Sequence, residues 1–259
     1  MGDEPRPRLR TALGRAELDR VLVRGHDLTG DLLGSATYAD MVALLLLGRM
    51  PSDGERRMVD ALLVSLIEHG LVKPVVVARF VYSNAPESLQ AAVAAALLGA
   101  GSRHLGSSEW CARMLQEAAV ADPDELEMAA ERIVREHHAT GSRIPGIGHR
   151  THADGDPRSI RLFEIARETG VYGSHCRLVQ QVAEVASRAA GRHLRVNVTG
   201  AIAAISSDLG FRWEIARGFA LMSRTLGALA HVQEEIDAPL SDELVRLIQR
   251  TVGYDDGTA

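Results

Sequence analysis

Apolar runs alternate with polar helix caps along almost the whole chain. Ser52 and Glu55 have the three-residue spacing in which two side chains close the first turn of a helix, and Gly70 follows the apolar run that they begin. The same pattern extends from Thr37 to Gly48. We therefore predict one helix between residues 37 and 48 and a second between residues 52 and 70.

Three later segments also have residues that are typical of helix starts and helix ends. In two of them an aspartate is followed by proline, which is typical of the first turn of a helix, and each of the three ends at a glycine. These segments run from Pro123 to Gly141, from Pro157 to Gly170 and from Ser174 to Gly191. Together with the abundance of alanine and leucine, this pattern predicts a largely helical protein.

The segment VKPVVVARFVY, residues 72–82, is the only stretch whose β-branched residues favour a strand. It contains Pro74, and no partner strand is evident elsewhere in the sequence. An irregular helix is an equal alternative for this segment.

Composition and charge narrow the class of function. The chain has 259 residues, of which 46% are hydrophobic, 24% charged and 4% aromatic, as expected of a folded globular protein. Its net charge of -5 argues against a general binder of nucleic acid or anionic membranes. Cys111 and Cys176 form neither a disulfide framework nor a thiolate metal site by spacing, and no run approaches a membrane span. We expect a cytoplasmic protein.

The stretch RIPGIGHRTHADGDPR, residues 143–158, is too rich in proline and glycine for a helix interior and must be an irregular loop. Backbone amides at Gly146 and Gly148, the His149 imidazole and the Arg158 guanidinium suit a substrate with a carbonyl and a carboxylate. A solvated loop with incidental histidines is the alternative. No carboxylate or thiol cluster accompanies His149 and His152, so we expect no metal.

That stretch resembles the citrate synthase signature, and its first half is especially similar to citryl-CoA lyases and the C-terminal module of ATP-citrate lyase. Further segments occur in the family's order over residues 22–240. They are VRGHDLTGDLLGSATYADMVALLLLGRMPSDGE, IEHG, LGAGSRHLGSSE, VNVTGAIAAI and MSRTLGALAH. The resemblance implies an all-α, citrate synthase-like fold, with a large helical domain (1–115 and 219–259) and a smaller inserted helical domain (116–218).

Citrate synthases join acetyl-CoA to a 2-oxo acid, and the lyases of the family cleave citryl-CoA. By resemblance, His104 stabilises charge on the thioester oxygen and His149 handles the proton of the carbonyl that becomes the alcohol. His69 orients the oxo acid, and Arg158 and Arg224 bind carboxylates. Arg224 lies in an apolar helical segment, where a guanidinium needs an anionic partner.

The resemblance also implies that coenzyme A binds as part of the substrate or product. The predicted contacts are the pantetheine-binding segment Ile144, Gly146, Ile147 and Gly148, with Arg143 and Arg150 as phosphate-binding candidates by proximity. Members of the family are commonly homodimers, and we expect the apolar runs 37–47 and 88–100 to contribute to an interface or to the chain's own core.

The sequence departs from the family pattern at two positions. Where the family has an aspartate that removes the α-proton of acetyl-CoA, this chain has Thr199, and a hydroxyl cannot act as a carboxylate base near neutral pH. Ala238 stands where a partner subunit would otherwise contribute an arginine. We expect cleavage to be better preserved than condensation, because cleavage begins with loss of the alcohol proton.

The sequence therefore predicts a citryl-CoA lyase-like enzyme with altered specificity, whose substrates are a CoA thioester and a 2-oxo acid. Two alternatives stay open. One is a condensing enzyme that generates its enolate by decarboxylation and needs no α-proton base. The other is a non-catalytic member of the family that binds a CoA metabolite.

Overall fold

The computed structural model describes residues 9–101, 105–118, 125–148, 155–255 and 257. Over these residues the chain is mostly helical, which confirms the predicted all-α class. The α-helices are α1 (Tyr38–Leu47), α2 (Asp53–Val64), α3 (Lys73–Asn84), α4 (Leu89–Leu98), α5 (Ser107–Ala118), α6 (Leu126–Ala139), α7 (Pro157–Glu168), α8 (Ser174–Ala190), α9 (Val198–Asp208), α10 (Ala216–Asp237) and α11 (Ser241–Thr251).

A small antiparallel sheet near the N-terminus was not predicted. It consists of β1 (Gly14–Ala16), β2 (Val21–Val23) and β3 (His26–Asp27) in that order. The turn between β2 and β3 contains Arg24 and Gly25, both with positive φ (50° and 87°), which matches the twist of a tight hairpin. Strands of two or three residues are too short to show an alternating pattern, so they cannot be recognised from the sequence.

The predicted helix caps are present at α1 and α2. The Thr37 hydroxyl accepts from the amide of Asp40, and the Asp40 carboxylate accepts from the amide of Thr37. Ser52 and Glu55 form the same reciprocal pair. However, α2 ends at Val64 and not at Gly70, because Glu68 accepts from the next two backbone amides and holds this segment in a turn.

The segment 72–82 is a helix, so the helical alternative is confirmed and the strand is wrong. Pro74 lies in the first turn of α3, where its missing N–H costs no hydrogen bond. The buried residues that α3 shares with α4 and α10 are all small or β-branched: Ala78, Ala92, Ala96, Ala228 and Val232. Such side chains allow the three helices to approach closely.

Helix α9 lies at the centre of the larger hydrophobic core. Every residue from 200 to 207 is buried, and α5, α7 and α8 pack around the helix. The predicted domain boundaries fall within α5 and α10, and the division into two domains stays a prediction. Among the described helices there is none with the length and apolar character that a bilayer crossing requires.

Candidate functional site

The loop that carries the predicted signature is attached to the start of α9. Ile147 and Val196 form an isolated antiparallel bridge. The amide of Gly148 donates to the carbonyl of Arg195 at 2.8 Å, and the amide of Asn197 donates to the carbonyl of Gly146 at 2.9 Å. The first half of the loop is therefore fixed against the N-terminus of a buried helix.

Two glycines make this close approach possible. Gly146 has φ of 81°, and a Cβ there would lie 2.7 Å from both Sγ of Cys111 and Cα of Gly200. A Cβ on Gly200 would lie 2.5 Å from the carbonyl oxygen of Gly146. Burial raises the pKa of the Cys111 thiol to about 12, so this cysteine is a packing residue and not a nucleophile. The backbone contact therefore requires glycine on both sides.

A directed chain of hydrogen bonds runs through Thr199, the residue predicted to stand in place of the family aspartate. Asn197 caps α9, and its Oδ1 accepts from the amides of Thr199 and Gly200 and from the Thr199 hydroxyl at 2.7 Å. Because the Asn197 Nδ2 donates to Gly148, the amide orientation is fixed. The Thr199 hydrogen is thus committed to Asn197, and Ser107 donates to the Thr199 oxygen at 2.9 Å.

Asp156 joins the start of α7 to the start of α9. Its fully buried carboxylate accepts from Nε and Nη2 of Arg158 at 3.0 and 2.9 Å, and from the amide of Val198 at 3.2 Å. Burial alone would raise the pKa of Asp156, but the Arg158 guanidinium and the two backbone amides outweigh it, and the pKa is lowered. Asp156 therefore holds Arg158 by one edge of its guanidinium.

Arg224 is buried within α10 at 7% exposure, and its Nε and Nη1 have no hydrogen-bond partner among the described residues. Burial lowers the pKa of its guanidinium, Glu68 opposes that effect, and the positive charge of Arg158 lowers the pKa further. The charges of Glu68 and Arg158 thus both act on Arg224, and the attraction of Glu68 is the larger of the two. A buried guanidinium with two unpartnered nitrogens among the described residues is a group that an anionic ligand would stabilise.

The turn at residues 67–70 packs directly on α10. A Cβ on Gly227 would lie 2.2 Å from the carbonyl oxygen of Ile67, so no larger residue fits there. His69, which is exposed, donates from its amide to Glu68 at 2.7 Å. Because Gly227 lies one turn after Arg224 in α10, the predicted oxo-acid histidine is placed along the same helix as the predicted carboxylate arginine.

The structure places some of the predicted site residues and leaves others outside its described part. Arg158, Thr199 and the loop glycines meet at the start of α9, whereas Arg224 lies on α10 and His69 lies in the turn that packs on α10; the charge of Arg158 acts on Arg224. Ile144 and Ile147 pack against the larger core, and Arg143 is exposed. The predicted residues that lie outside the described ones are His104, His149 and Arg150.

Sequence reasoning missed the polar residues that hold the site together. From the sequence, Asp156 is explained by helix capping alone, and nothing in the pattern distinguishes Ser107 or Glu68. An aspartate two residues before an arginine is a signal for an ion pair, but capping explains it equally well. Ser107 had no local signal, because its partner Thr199 is 92 residues away.

Comparison with known proteins decides the family. The family model "Citrate synthase, C-terminal domain" matches residues 15–247. The chain belongs to the citrate synthase family. This confirms the resemblance that the motifs indicated, and it is consistent with an enzyme of the CoA-dependent carbon–carbon lyase or synthase type.

Similar solved structures include the citryl-CoA lyase of Hydrogenobacter thermophilus, with a TM-score of 0.86, 37% identity and coverage of 96% of this chain and 95% of that one. The Methanosaeta concilii ATP citrate lyase in complex with (3S)-citryl-CoA has a TM-score of 0.71 at 21% identity and covers 99% of this chain and 42% of that one. At that identity the second likeness concerns the fold alone.

Among curated relatives, the citrate synthase of Heyndrickxia coagulans is 26% identical over 208 residues, which are 79% of this chain and 53% of that protein. The chain thus spans about half the length of the curated citrate synthases that it matches.

Replacing Asp156 with asparagine tests the ion pair that holds Arg158. At neutral pH, Asp156→Asn should lower the free energy of unfolding by about 2–3 kcal/mol, because a buried charge pair loses one partner. An ordinary aspartate pKa is 3.8, and the pKa here is lower. The stabilisation is complete above about pH 4 and is lost as pH falls through the lower folded-state pKa, where the variant and the parent should converge.

Urea unfolding between pH 3 and pH 7 measures this difference. Asp53→Asn is the control, because that side chain is 97% exposed. An Asp156→Asn gap that stays constant down to pH 3 would contradict the ion-pair interpretation.

Replacing Gly200 with alanine tests the contact between the loop and α9. Gly200→Ala should destabilise the protein by about 1–3 kcal/mol, because the new methyl group collides with the Gly146 carbonyl. Gly218→Ala in α10 is the matched control: its Cβ meets only Cγ2 of Ile215, at 3.6 Å, so the gain in helix propensity should leave stability unchanged or higher. Thermal unfolding of both variants decides, and equal melting temperatures would refute the close-contact account.

Proposed function

We propose that the protein is a citryl-CoA lyase-like enzyme that cleaves a carboxylated 3-hydroxyacyl-CoA into acetyl-CoA and a 2-oxo acid. The observation that carries this proposal is Arg224, a buried guanidinium with two nitrogens unpaired among the described residues, close to Arg158. A small dicarboxylate such as oxaloacetate, or the corresponding part of citryl-CoA, supplies the charge that this pair needs.

The cleavage step uses two histidines whose roles come from the family resemblance. The hydroxyl of the substrate loses its proton to His149, the adjacent carbon–carbon bond breaks, and its electron pair passes into the thioester as an enolate. His104 stabilises the enolate oxygen. Oxaloacetate is released when the substrate is citryl-CoA, and the enolate takes up one proton at carbon to become acetyl-CoA.

The described residues limit where that last proton comes from. The Ser107 hydroxyl donates its hydrogen to Thr199, and the Thr199 hydroxyl donates its hydrogen to Asn197. In this arrangement neither hydroxyl delivers a proton to the enolate. Both oxygens can still accept from a water molecule. We infer that water protonates the enolate, and that the missing carboxylate slows proton transfer at the α-carbon while leaving bond cleavage itself untouched.

On this proposal, the pantetheine arm of the CoA thioester lies beside the loop at residues 144–148. The backbone at Gly148 is not covered by a side chain of its own, and a Cβ there would meet only Leu194 at 3.8 Å, whereas Gly146 is packed against α9. A cavity of about 630 Å³ opens nearby between α7 and α8, and Arg195 and His193 contribute to its lining. Its position offers room for part of coenzyme A next to the loop. A homodimer, as is common in the family, is part of the proposal.

Arg224→Met tests whether Arg224 and Arg158 form a binding site for an anion, called here the anion site. Both ligand binding and protein stability are measured. The substitution should weaken oxaloacetate binding at least about tenfold and abolish turnover of citryl-CoA, because the carboxylate loses a charged donor. In the absence of ligand the variant should be more stable than the parent by about 1 kcal/mol, because an unpaired buried charge is removed. Calorimetric titration, release of acetyl-CoA from citryl-CoA and thermal unfolding measure the three quantities.

Arg246→Met on the exposed face of α11 serves as the control and should change none of them. Tight CoA-thioester binding by the parent without any turnover would favour the non-catalytic alternative. A product that forms from malonyl-CoA but not from acetyl-CoA would favour decarboxylative condensation. A destabilised Arg224→Met variant that binds oxaloacetate normally would refute the anion site.

Thr199→Asp tests the missing base. The variant should exchange the methyl protons of acetyl-CoA with deuterium oxide at least about tenfold faster than the parent, because a positioned carboxylate contributes about 10²–10⁴ to proton transfer. Thr199→Asn has the same shape without a base, and Thr199→Ser keeps the hydroxyl, so neither should gain exchange. Mass spectrometry of acetyl-CoA measures deuterium uptake. Equal gains in the Asp and Asn variants would show that the effect is not base catalysis.

A further inference from the structure

A second buried arginine lies behind the turn that carries His69. Arg79 in α3 has no exposed surface, and unlike Arg224 it is fully surrounded by acceptors. Its Nη1 donates to Glu235 at 3.0 Å, its Nη2 contacts Glu234, and both Nε and Nη2 point at Nδ1 of His231 at 3.2 and 2.9 Å. The function proposed above makes no use of this cluster.

The donors of Arg79 determine the protonation of His231. A guanidinium can only donate, so Nδ1 of His231 must accept, and the neutral ring carries its proton on Nε2. That proton is directed to Oε2 of Glu68 at 3.1 Å. The imidazole therefore connects the buried guanidinium of Arg79 to the carboxylate of Glu68 in the turn at residues 67–70.

Glu68 in turn holds the backbone of the turn. Its Oε1 accepts from the amides of His69 and Gly70, while Oε2 accepts from His231. Burial alone would raise the pKa of Glu68, but the hydrogen bonds from these two amides and from His231 outweigh it, so the pKa is lowered. A carboxylate that is satisfied on both oxygens has little freedom to rotate.

We propose that Glu68 is a positioning residue for His69, oriented by a hydrogen-bond relay that begins at Arg79 and passes through His231. Through the relay, the wholly buried Arg79 does more than pack between helices, because it connects α3 and α10 to the backbone of the turn at residues 67–70. What His69 contacts in a ligand rests on the proposed function. How His69 is held does not.

The affinity of Glu68→Ala for oxaloacetate distinguishes a positioning role of Glu68 from a purely electrostatic one, because the two roles predict changes of opposite sign. Glu68 also interacts with Arg224, so removing its charge should tighten the binding of an anion if charge were its only contribution. Positioning predicts the opposite. Glu68→Ala should weaken oxaloacetate binding about tenfold, leave CoA binding unchanged, and speed amide hydrogen exchange at His69 and Gly70 at least about tenfold.

Two variants of His231 form a matched pair. His231→Gln offers an acceptor to Arg79 and a donor to Glu68, so it should retain slow exchange at His69 and normal oxaloacetate binding. His231→Leu removes both and should behave as Glu68→Ala does. If the leucine variant does not fold, Glu68→Ala decides alone, because it leaves the contacts of Arg79 with His231 and Glu235 in place.

Calorimetry with oxaloacetate and with CoA, and hydrogen exchange followed by nuclear magnetic resonance, provide the readouts. Glu127→Ala is the control, because that exposed glutamate pairs only with Arg188 in the described structure and lies outside the cluster. Unchanged exchange at His69 in Glu68→Ala, or tighter oxaloacetate binding, would overturn the relay. If the parent protein binds neither oxaloacetate nor citrate, the proposed function fails, while faster exchange in both Glu68→Ala and His231→Leu would still support the relay.

Discussion

The burial of the Arg224 guanidinium, with two nitrogens unpartnered among the described residues, is the constraint on which the candidate site depends. Neither Arg224 nor Arg158 is in bulk water, and only Arg158 has a carboxylate partner that forms a close ion pair. Burying a cation without a partner costs several kcal/mol, so the remainder of the fold must supply that stability. The larger core around α9 and the close contact between Gly146 and Gly200 are the rigid surroundings that can hold such an arrangement.

The start of α9, where Thr199 lies, brings the N-termini of several helices together. The N-termini of α7 and α9 are joined through Asp156, and Ser107 brings the start of α5 to them. Helix N-termini carry partial positive charge, and both arginines add to it. The Asp156 carboxylate opposes this field and is itself paired with Arg158. On the proposed function, the absence of a second carboxylate at position 199 leaves this region more favourable to an anionic intermediate.

The fold was more predictable than the site. Caps such as Ser52 with Glu55 act within one turn, so their signal is local and the structure confirmed it. The end of α2 was predicted wrongly because the side chain of Glu68 competes for the backbone, and its orientation depends on His231, which is 163 residues away. Ser107 was missed for the same reason. Long-range polar pairing has no periodic signature, and family resemblance supplied the positions that periodicity could not.

Arg79 and Arg224 show how far sequence alone can distinguish a structural residue from a binding residue. Each is a single arginine in an apolar helical segment, and the same reasoning about buried charge applies to both. The structure separates them: Arg79 is satisfied by Glu234, Glu235 and His231, whereas Arg224 keeps two unpaired nitrogens. Since the acceptors come from distant segments for one and are missing among the described residues for the other, only the folded chain reveals which guanidinium is left without partners.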